Sequence, residues 1–481
     1  MMSDLFFSAL EAHAQRRPKE VALRWADGVM TWAACAEAVA QRCQHWQRLG
    51  LQAGERVALR MTDGPRHLCE ALGIMAAGGV HCPIDHSLPA SQAAEALESL
   101  DPTWWLDDAE GAQGDPWHPG GSPMPGNPGL VSRRTSRQGP APIDQVAFIR
   151  HTSGTTGVAK GVILTHRAIA ERADAVIRAI DLRPGDAMAW VLPLAFHFAV
   201  SIGACLRSGA TVVFASNLRV AKTAAICREA GVTHAYFSPW YAMRLGVLPE
   251  LNLGSHLREV LVTTAAIDAV AADRLRQRLQ VPVRQALGVI EVGLPLVSPG
   301  YLGEVAGEFG APVADYRVRI VDGVGKDCQV GECGELLIAG PGLFAAYLSP
   351  FTPAVDILRG DFFPTGDAAA LDADGRVRLL GRLKSVIVVA GMKVFPLQVE
   401  AVLEAHPAVA RALVEGVRDE HTGELVQARI EIEADNEESE ADLQDRLLRH
   451  CQQYLGALEC PSRWIFERLP LTVTGKVQRH R

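Results

Sequence analysis

The sequence lacks several features that would assign a protein to a familiar class. It holds no run of about 18 apolar residues, so we expect no membrane-spanning helix. Basic residues are not in excess, because 47 lysines and arginines stand against 55 aspartates and glutamates for a net charge of −8. We therefore expect no nucleic-acid partner, since a phosphate-binding surface needs such an excess. No basic region precedes an apolar stretch in the first residues, so we expect no secretory signal.

The ten cysteines also lack the spacing of a zinc site. The tightest pair, Cys328 and Cys333, has no second pair near it in the sequence. We expect reduced thiols in a cytoplasmic protein, with Cys205 and Cys227 packed as small hydrophobic residues.

The chain is long enough for more than one core. Its 481 residues exceed one ordinary domain and 48% of them are hydrophobic, so at least two domains are expected. A capped helix is predicted over 31–50, a strand over 56–60 and a helix over 68–79. This alternation predicts a layered α/β fold with a largely parallel sheet. Residues 108–142, rich in Gly, Pro and Ser, predict a loop and no core element.

A smaller α+β pattern follows residue 384. Residues 386–389 and 428–432 predict strands, and residues 397–406 and 440–455 predict helices. This part of the chain therefore has its own succession of elements.

One segment, residues 151–162, combines hydroxyls, glycines and a lysine in the order HTSGTTGVAKGV. Glycine lets the backbone approach a ligand, hydroxyls and successive N–H groups donate to an anion, and a lysine adds a mobile charge. The residues assigned to this task are Thr152, Ser153, Gly154, Thr155, Thr156, Gly157 and Lys160. Because residues 145–149 predict a buried strand just before them, we predict a polyphosphate-holding loop and a nucleoside triphosphate enzyme.

Two alternatives exist for this loop. A Walker-type loop needs Gly before the lysine and Ser or Thr after it, whereas Ala159 and Gly161 stand there. The other alternative is an ordinary surface loop, which the Gly/Ser/Thr composition alone allows.

The loop resembles the signature loop of the acyl-adenylate-forming enzymes, which include acyl-CoA synthetases, peptide-synthetase adenylation domains and luciferases. Ala159 departs from that pattern, which usually has Pro there. Further segments resemble the family's motifs in the same order, across the chain from about residue 20 to its end. They are residues 191–197 (acyl pocket and gate), 362–367 (ribose), 381–384 (hinge), 386–400 (the loop after the hinge) and 469–476 (the catalytic lysine).

The resemblance implies an α/β fold in two parts, a large N-terminal domain over 1–383 and a small mobile C-terminal domain over 384–481. Lys384 is the implied hinge between a pose for adenylation and a rotated pose for acyl transfer. In the second pose, the small residue Gly391 would let the backbone approach a pantetheine tunnel.

The implied chemistry is attack of a carboxylate on the α-phosphate of ATP, with pyrophosphate leaving. Two anions must meet, so positive charge must gather at that point. By resemblance, Lys476 contacts the carboxylate and the α-phosphate, although a solvated lysine in a basic tail is the alternative. Asp367 is the implied ribose ligand, Arg382 a second ribose or phosphate contact, and Glu291 the Mg²⁺ ligand. His197 is either the gate of the acyl pocket or a packed histidine.

Two positions depart from the family's nucleotide site. Leu287 stands in place of the aromatic residue near adenine, and Ile290 in place of the threonine that bonds the α-phosphate. These departures keep open a second class of function, a degenerate nucleotide or acyl sensor without catalysis.

The substrate is expected to be a small carboxylic acid. No acidic residue occurs in 196–201, which disfavours an amino acid. Phe198, Trp240, Tyr241 and Met243 favour an apolar pocket for an aryl, alicyclic or fatty acid, although Trp240 and Tyr241 could equally be core or surface-groove aromatics. The expected cofactors are ATP, Mg²⁺ and CoA. A carrier-protein phosphopantetheine or an amine is the alternative acceptor.

Overall fold

Helices and strands alternate along most of the chain. The computed structural model describes residues 5–107, 130–133, 143–152, 160–215, 219–264, 267, 269–300, 308–433, 439–470 and 477. The α-helices in these residues are α1 (Leu5–Arg16), α2 (Trp32–Leu49), α3 (Pro65–Ala76), α4 (Ala90–Leu100), α5 (His166–Ala179), α6 (Leu194–His197), α7 (Gly203–Ser208), α8 (Val220–Glu229), α9 (Pro239–Gly246), α10 (Ala269–Leu279), α11 (Pro396–Glu404) and α12 (Glu440–Tyr454).

The strands fall into four sheets. In chain order they are β1 (Val21–Trp25), β2 (Gly28–Thr31), β3 (Arg56–Met61), β4 (Val80–Asp85), β5 (Trp104–Asp107), β6 (Leu130–Arg133), β7 (Val146–Thr152), β8 (Lys160–Thr165), β9 (Ala187–Trp190), β10 (Thr211–Phe214), β11 (His234–Phe237), β12 (Glu259–Val262), β13 (Val283–Val289), β14 (Gly293–Val297), β15 (Glu308–Gly310), β16 (Arg317–Val321), β17 (Gly334–Ala339), β18 (Ala346–Tyr347), β19 (Thr352–Pro353), β20 (Phe363–Leu371), β21 (Val377–Arg382), β22 (Ile387–Val389), β23 (Met392–Val394), β24 (Val409–Asp419), β25 (Gly423–Ile432) and β26 (Arg463–Phe466).

Two eight-stranded sheets form the large layered part of the fold. The first has the order β14-β13-β12-β11-β9-β10-β1-β2 and is parallel from β13 to β1, with an antiparallel strand at each edge. The second has the order β19-β18-β8-β7-β4-β3-β5-β6 and is parallel from β7 to β5. The predicted layered α/β fold with parallel sheets is therefore confirmed.

Local sequence signals explain the first helices and strands. The Thr31 side chain accepts a hydrogen bond from the Ala34 N–H at 3.2 Å, and Gly50 ends α2 in the left-handed conformation at φ 86°. The helix and strand predicted over 31–50 and 56–60 are confirmed as α2 and β3. Helix α3 begins at Pro65, ahead of the predicted residue 68, because proline is well suited to the first turn of a helix.

The prediction of a loop over 108–142 is wrong at one place. Residues 130–133 form β6, which pairs antiparallel with β5 at the edge of the second sheet. A short edge strand pairs through the exposed backbone groups of its neighbour and needs no particular side chains. The Gly- and Pro-rich composition around residues 130–133 therefore does not indicate a strand there. Residues 108–129 and 134–142 lie outside the described part of the chain.

The main core contains side chains from both large sheets and from strands β15 to β17, β20 and β21, and a second core covers the opposite face of the first sheet. The main core includes Trp46 of α2, Phe148 of β7 and Trp190 of β9, all fully buried. The second core packs α8, α9 and α10 against the alternate side chains of β9 to β12. Side chains on opposite faces of β9 to β12 thus belong to different cores.

The last part of the chain has a sheet and core of its own. The antiparallel sheet β15-β21-β20-β17-β16 precedes it, and a 3₁₀ turn over Leu383–Ser385 joins β21 to β22. Strands β22 to β26 then form a sheet that is covered by α11 and α12. The small α+β pattern predicted after residue 384 corresponds to these elements.

Two expectations about composition can be compared with the structure. No helix in the described ranges is long and apolar enough to cross a lipid bilayer. All ten cysteines lie in those ranges and none forms a disulfide. Cys205 and Cys227 are fully buried in the two cores, as predicted.

Candidate active site

The predicted phosphate loop joins two paired strands. Thr152, the last residue of β7, is the register partner of Lys160, the first residue of β8. The loop residues Ser153, Gly154, Thr155, Thr156 and Gly157 lie outside the described residues. The Lys160 ammonium lies 4.5 Å from the ring centroid of Tyr347, a cation–π distance. Tyr347 is on β18, which pairs with the side of β8 that is opposite to β7.

Glu291 lies in the turn between β13 and β14 and reaches the same aromatic residue. The Tyr347 hydroxyl donates a hydrogen bond to Glu291 Oε1 at 2.8 Å. Burial and the Glu291 carboxylate raise the pKa of Tyr347 above its ordinary range, so the hydroxyl keeps its proton and donates. Glu291, Tyr347 and Lys160 therefore form one connected group at the end of the phosphate loop.

A buried arginine holds the turn that carries Glu291. Arg172 of α5 donates to the carbonyl oxygens of Ile290 at 2.6 Å, of Glu291 at 2.9 Å and of Gly342 at 2.5 Å. All three kinds of guanidinium nitrogen thus have backbone partners. Burial lowers the pKa of Arg172 to about 10, so it remains charged at neutral pH. Its role is to fix the backbone of the turn.

The two predicted ribose residues face each other on neighbouring strands. Asp367 of β20 and Arg382 of β21 are register partners, and Arg382 Nε lies 3.1 Å from Asp367 Oδ1. Arg382 also donates to the Thr365 carbonyl at 3.0 Å. Burial raises the pKa of Asp367, Arg382 opposes that shift, and the Glu291 carboxylate adds to it. Asp367 is thus within electrostatic reach of Glu291, which brings the ribose and metal candidates to one region.

His197 ends α6 among aromatic rings. Its ring centroid lies 5.5 Å from that of Trp190 and 6.1 Å from that of Tyr236, and both ring pairs are edge-to-face. A π-helical turn, Phe198–Ile202, follows directly, and such turns often occur at functional sites. The geometry is that of a packed histidine, and its role as a gate stays a prediction.

The four predicted acyl-pocket residues do not all line one pocket. Phe198 is fully buried in the main core, where it stacks on Phe148 with a centroid distance of 5.8 Å. Tyr241 belongs to the second core, on the other face of the sheet. Trp240 and Met243 are 43% and 39% exposed, and Trp240 lines a surface groove beside α8 together with Tyr241. The alternative of surface-groove aromatics therefore fits Trp240 better, because helix α9 turns that side chain outward.

The C-terminal candidates occupy turns. Lys384 is in the 3₁₀ turn between β21 and β22. Gly391, at φ 84°, turns the chain from β22 into β23, and the space beside its Cα is open. Glycine is therefore favoured at this position by the left-handed backbone conformation and not by close neighbouring atoms. Lys476 lies outside the described residues.

The residues present suit Mg²⁺ only together with a substrate. The described ranges contain no cluster of three or more His, Cys, Asp or Glu residues able to hold a metal ion. Mg²⁺ is commonly bound through one or two carboxylates and the phosphates of a nucleotide. Glu291, as a single carboxylate beside the phosphate loop, fits that arrangement.

Comparisons with known proteins identify the family of the chain. The family model of the AMP-binding enzyme matches residues 10–348, and that of the AMP-binding enzyme C-terminal domain matches residues 398–476. Together they span most of the chain. The chain therefore belongs to the family of AMP-binding enzymes.

Individual relatives match between about two thirds of the chain and nearly all of it. A feruloyl-CoA synthase from Amycolatopsis is 27% identical over 474 residues, which are 96% of this chain and 95% of that protein. The fatty acid–[acyl-carrier-protein] ligase ScoC from Streptomyces coeruleorubidus is 31% identical over 345 residues, 68% of this chain and 65% of that protein.

A solved structure shares the fold. ATP-bound MatB from Rhodopseudomonas palustris superposes with a TM-score of 0.83 at 22% identity, covering 99% of this chain and 97% of MatB. The family assignment and the acyl-CoA ligases among the relatives make this chain an AMP-forming acid–thiol ligase, an enzyme that uses ATP to activate a carboxylic acid for acyl transfer.

Proposed function

We propose that the acid is a carboxylic acid without an α-amino group, of aryl, alicyclic or fatty character, and that CoA is the acceptor. The observation that carries the proposal is the connected group of Glu291, Tyr347 and Lys160 at the phosphate loop, with Asp367 in electrostatic reach. The absence of an acidic residue in 196–201 and the likeness to a feruloyl-CoA synthase support an acid of this class.

The roles of the residues follow from charge. The loop from Thr152 to Lys160 holds the β- and γ-phosphates, since its backbone N–H groups, hydroxyls and lysine all attract anions. Glu291 would hold Mg²⁺, which neutralises phosphate charge. Asp367 accepts hydrogen bonds from the ribose hydroxyls, and Arg382 orients that carboxylate.

Adenylation brings the carboxylate and the α-phosphate together, so a further positively charged side chain is needed between these two anions. Lys476 fills this role, because a mobile domain can bring its lysine into the site and withdraw it again. We propose a large domain over 1–383, a mobile domain over 384–481 and a hinge at Lys384. In the second pose, Gly391 faces the pantetheine arm and His197 closes or opens the acyl pocket.

A carrier protein is the second candidate acceptor. The likeness to ScoC favours it, because that relative is a fatty acid–[acyl-carrier-protein] ligase. The thiol chemistry is the same, since both acceptors end in phosphopantetheine. An amine is the third candidate. We further propose a reducing compartment, the cytoplasm, because ten cysteines without a disulfide suit it.

The experiment offers one acid with ATP and Mg²⁺ to three acceptors separately: CoA, a holo-acyl-carrier protein and a small amine. AMP release and the mass of the acyl product are measured. The expected result is acyl-CoA formed at the same rate as AMP. If the acylated carrier protein or an amide were the only product, CoA would not be the acceptor. AMP release without any acyl product would contradict acyl transfer altogether.

A further inference from the structure

A partly buried arginine contacts the segment that holds the candidate gate and interacts electrostatically with Glu291. Arg150 is on β7, two residues before Thr152 and the phosphate loop. Its Nη1 donates to the Phe196 carbonyl oxygen at 3.1 Å, and its guanidinium carbon lies 4.8 Å from the Phe196 ring centroid. Phe196 precedes His197, the candidate gate. Arg150, near the end of β7, therefore contacts the residue next to the candidate gate.

The other neighbour of Arg150 is on the phosphate side. The Glu291 carboxylate interacts electrostatically with the guanidinium and opposes the effect of burial, which lowers the pKa of Arg150 to about 10. The side chain thus stays positively charged at neutral pH. Its charge is therefore available within electrostatic range of the candidate Mg²⁺ ligand Glu291.

The hydrogen bonds of Arg150 are incomplete. Nε is buried and has no hydrogen-bond partner among the residues that the structure describes. Arg172 is the contrasting case, since its side chain is fully buried and bonds three backbone carbonyls, whereas Arg150 is partly buried and only its Nε lies without a partner among the described residues. A buried charge with few partners costs free energy unless a ligand compensates it. Arg172 is therefore structural, whereas Arg150 has a donor group left for an anion.

We propose that Arg150 binds the carboxylate of the acid substrate and holds it for attack on the α-phosphate of ATP. Nη1 remains on the Phe196 carbonyl, and the edge formed by Nε and Nη2 receives the two carboxylate oxygens, as an arginine fork does. One carboxylate oxygen then forms the bond to the α-phosphorus, and the bond to pyrophosphate breaks with its electron pair. Arg150 keeps its proton throughout and stabilises charge only.

This inference rests on the proposed function and concerns one of its two half-reactions. Adenylation uses a free carboxylate, whereas thiolysis of a preformed acyl-adenylate does not. Replacing Arg150 should therefore damage the first half-reaction and spare the second. A residue that merely supported Phe196 and the gate would affect both.

The experiment compares wild type, Arg150→Gln, Arg150→Lys and the control Arg178→Gln, whose arginine pairs with Asp315 on the surface. Acid-dependent ATP–pyrophosphate exchange gives kcat and the KM values for acid and ATP, and thiolysis of a synthetic acyl-adenylate is measured separately. For Arg150→Gln we expect kcat/KM for the acid to fall about 100-fold, as for other lost oxyanion donors. The KM for ATP and the thiolysis rate should change less than about threefold.

The lysine variant keeps the charge but loses the fork, so it should lie between wild type and the glutamine variant. It also protects the test if Arg150→Gln fails to fold. A raised KM for ATP with an unchanged KM for the acid would assign Arg150 to phosphate and overturn the proposal. An equal loss in both half-reactions would overturn it as well. Absence of exchange in wild type with every acid would refute the proposed function itself, a distinct result.

Discussion

Asp367 and Arg382 face each other across an antiparallel strand pair, with Arg382 Nε 3.1 Å from Asp367 Oδ1. The aspartate side chain is 14% exposed and the arginine 54%, so the carboxylate is sheltered while its partner reaches solvent. Such a pair stabilises the fold only slightly. Its effect is to orient a carboxylate beside the region of Glu291.

Replacement of Asp367 by alanine should weaken ATP binding selectively. Removing a charged acceptor of ribose hydroxyls costs roughly 1.5–3 kcal/mol, which is about 10- to 100-fold in Kd. Acid binding should change less than about threefold. Calorimetric titration with ATP checks this, with Asp374→Ala as the control in an exposed turn. Unchanged ATP affinity would mean that the ribose lies elsewhere.

Replacement of Lys476 by alanine should separate the two half-reactions. Adenylation should fall by about 100-fold or more, because a cation at the meeting point of two anions is lost. Thiolysis of preformed acyl-adenylate should persist. The control is Arg479→Ala, which removes a neighbouring positive charge in the sequence. Normal adenylation by the Lys476 variant would remove this residue from the mechanism.

A proline at Lys384 should restrict the alternation between the two poses. Proline fixes φ and lacks an N–H, so Lys384→Pro should leave one half-reaction near its normal rate and slow the other at least about tenfold. Lys384→Ala serves as the control, since it keeps the backbone free. If both half-reactions keep normal rates in the proline variant, the hinge is at another residue.

The buried carboxyl of Asp63 should make stability depend on pH. It accepts a hydrogen bond from the Leu194 N–H at 3.0 Å, at the start of α6, and lies 3.8 Å from His67 Nδ1. Burial, with a smaller effect from Asp85, raises the pKa of Asp63 from 3.8 to about 7. The folded state therefore binds the proton more tightly than the unfolded state. The stability from this group is full below about pH 4 and is lost as pH rises through about 7.

Asp63→Asn should remove that part of the pH dependence. The amide oxygen can still accept the Leu194 N–H, and no charge develops. Urea unfolding at pH 5 and pH 8 should show a smaller loss of unfolding free energy in the variant, by on the order of 1–4 kcal/mol. Asp374→Asn controls for surface charge. Parallel pH profiles of wild type and Asp63→Asn would contradict the assignment.

Local signals in the sequence were sufficient for much of the fold. Thr31 and Gly50 mark the ends of α2, because capping needs only neighbouring residues. The edge strand β6 was missed because its pairing depends on β5 and not on its own composition. Pairing between distant segments is set by tertiary contacts, which a single sequence does not display.

Site residues could be predicted where they stand in a recognisable motif, but not where only the fold brings them to the site. Asp367 and Glu291 stand in segments that resemble known motifs. Tyr347 gives no such signal, since its hydroxyl meets Glu291 only after a separation of 56 residues along the chain. Arg150 offered a usable signal, a charged residue directly after the apolar run over 146–149. Trp240 was predicted as an acyl-pocket residue but lines a surface groove, because aromatic residues occur in cores, on surfaces and in pockets alike.

The most direct test of the central claim is acid-dependent ATP–pyrophosphate exchange without any acceptor, over a panel of aryl, fatty, alicyclic and amino acids. The account predicts exchange with one or a few acids that lack an α-amino group, and none without acid. No exchange across the panel, or exchange with amino acids only, would contradict it.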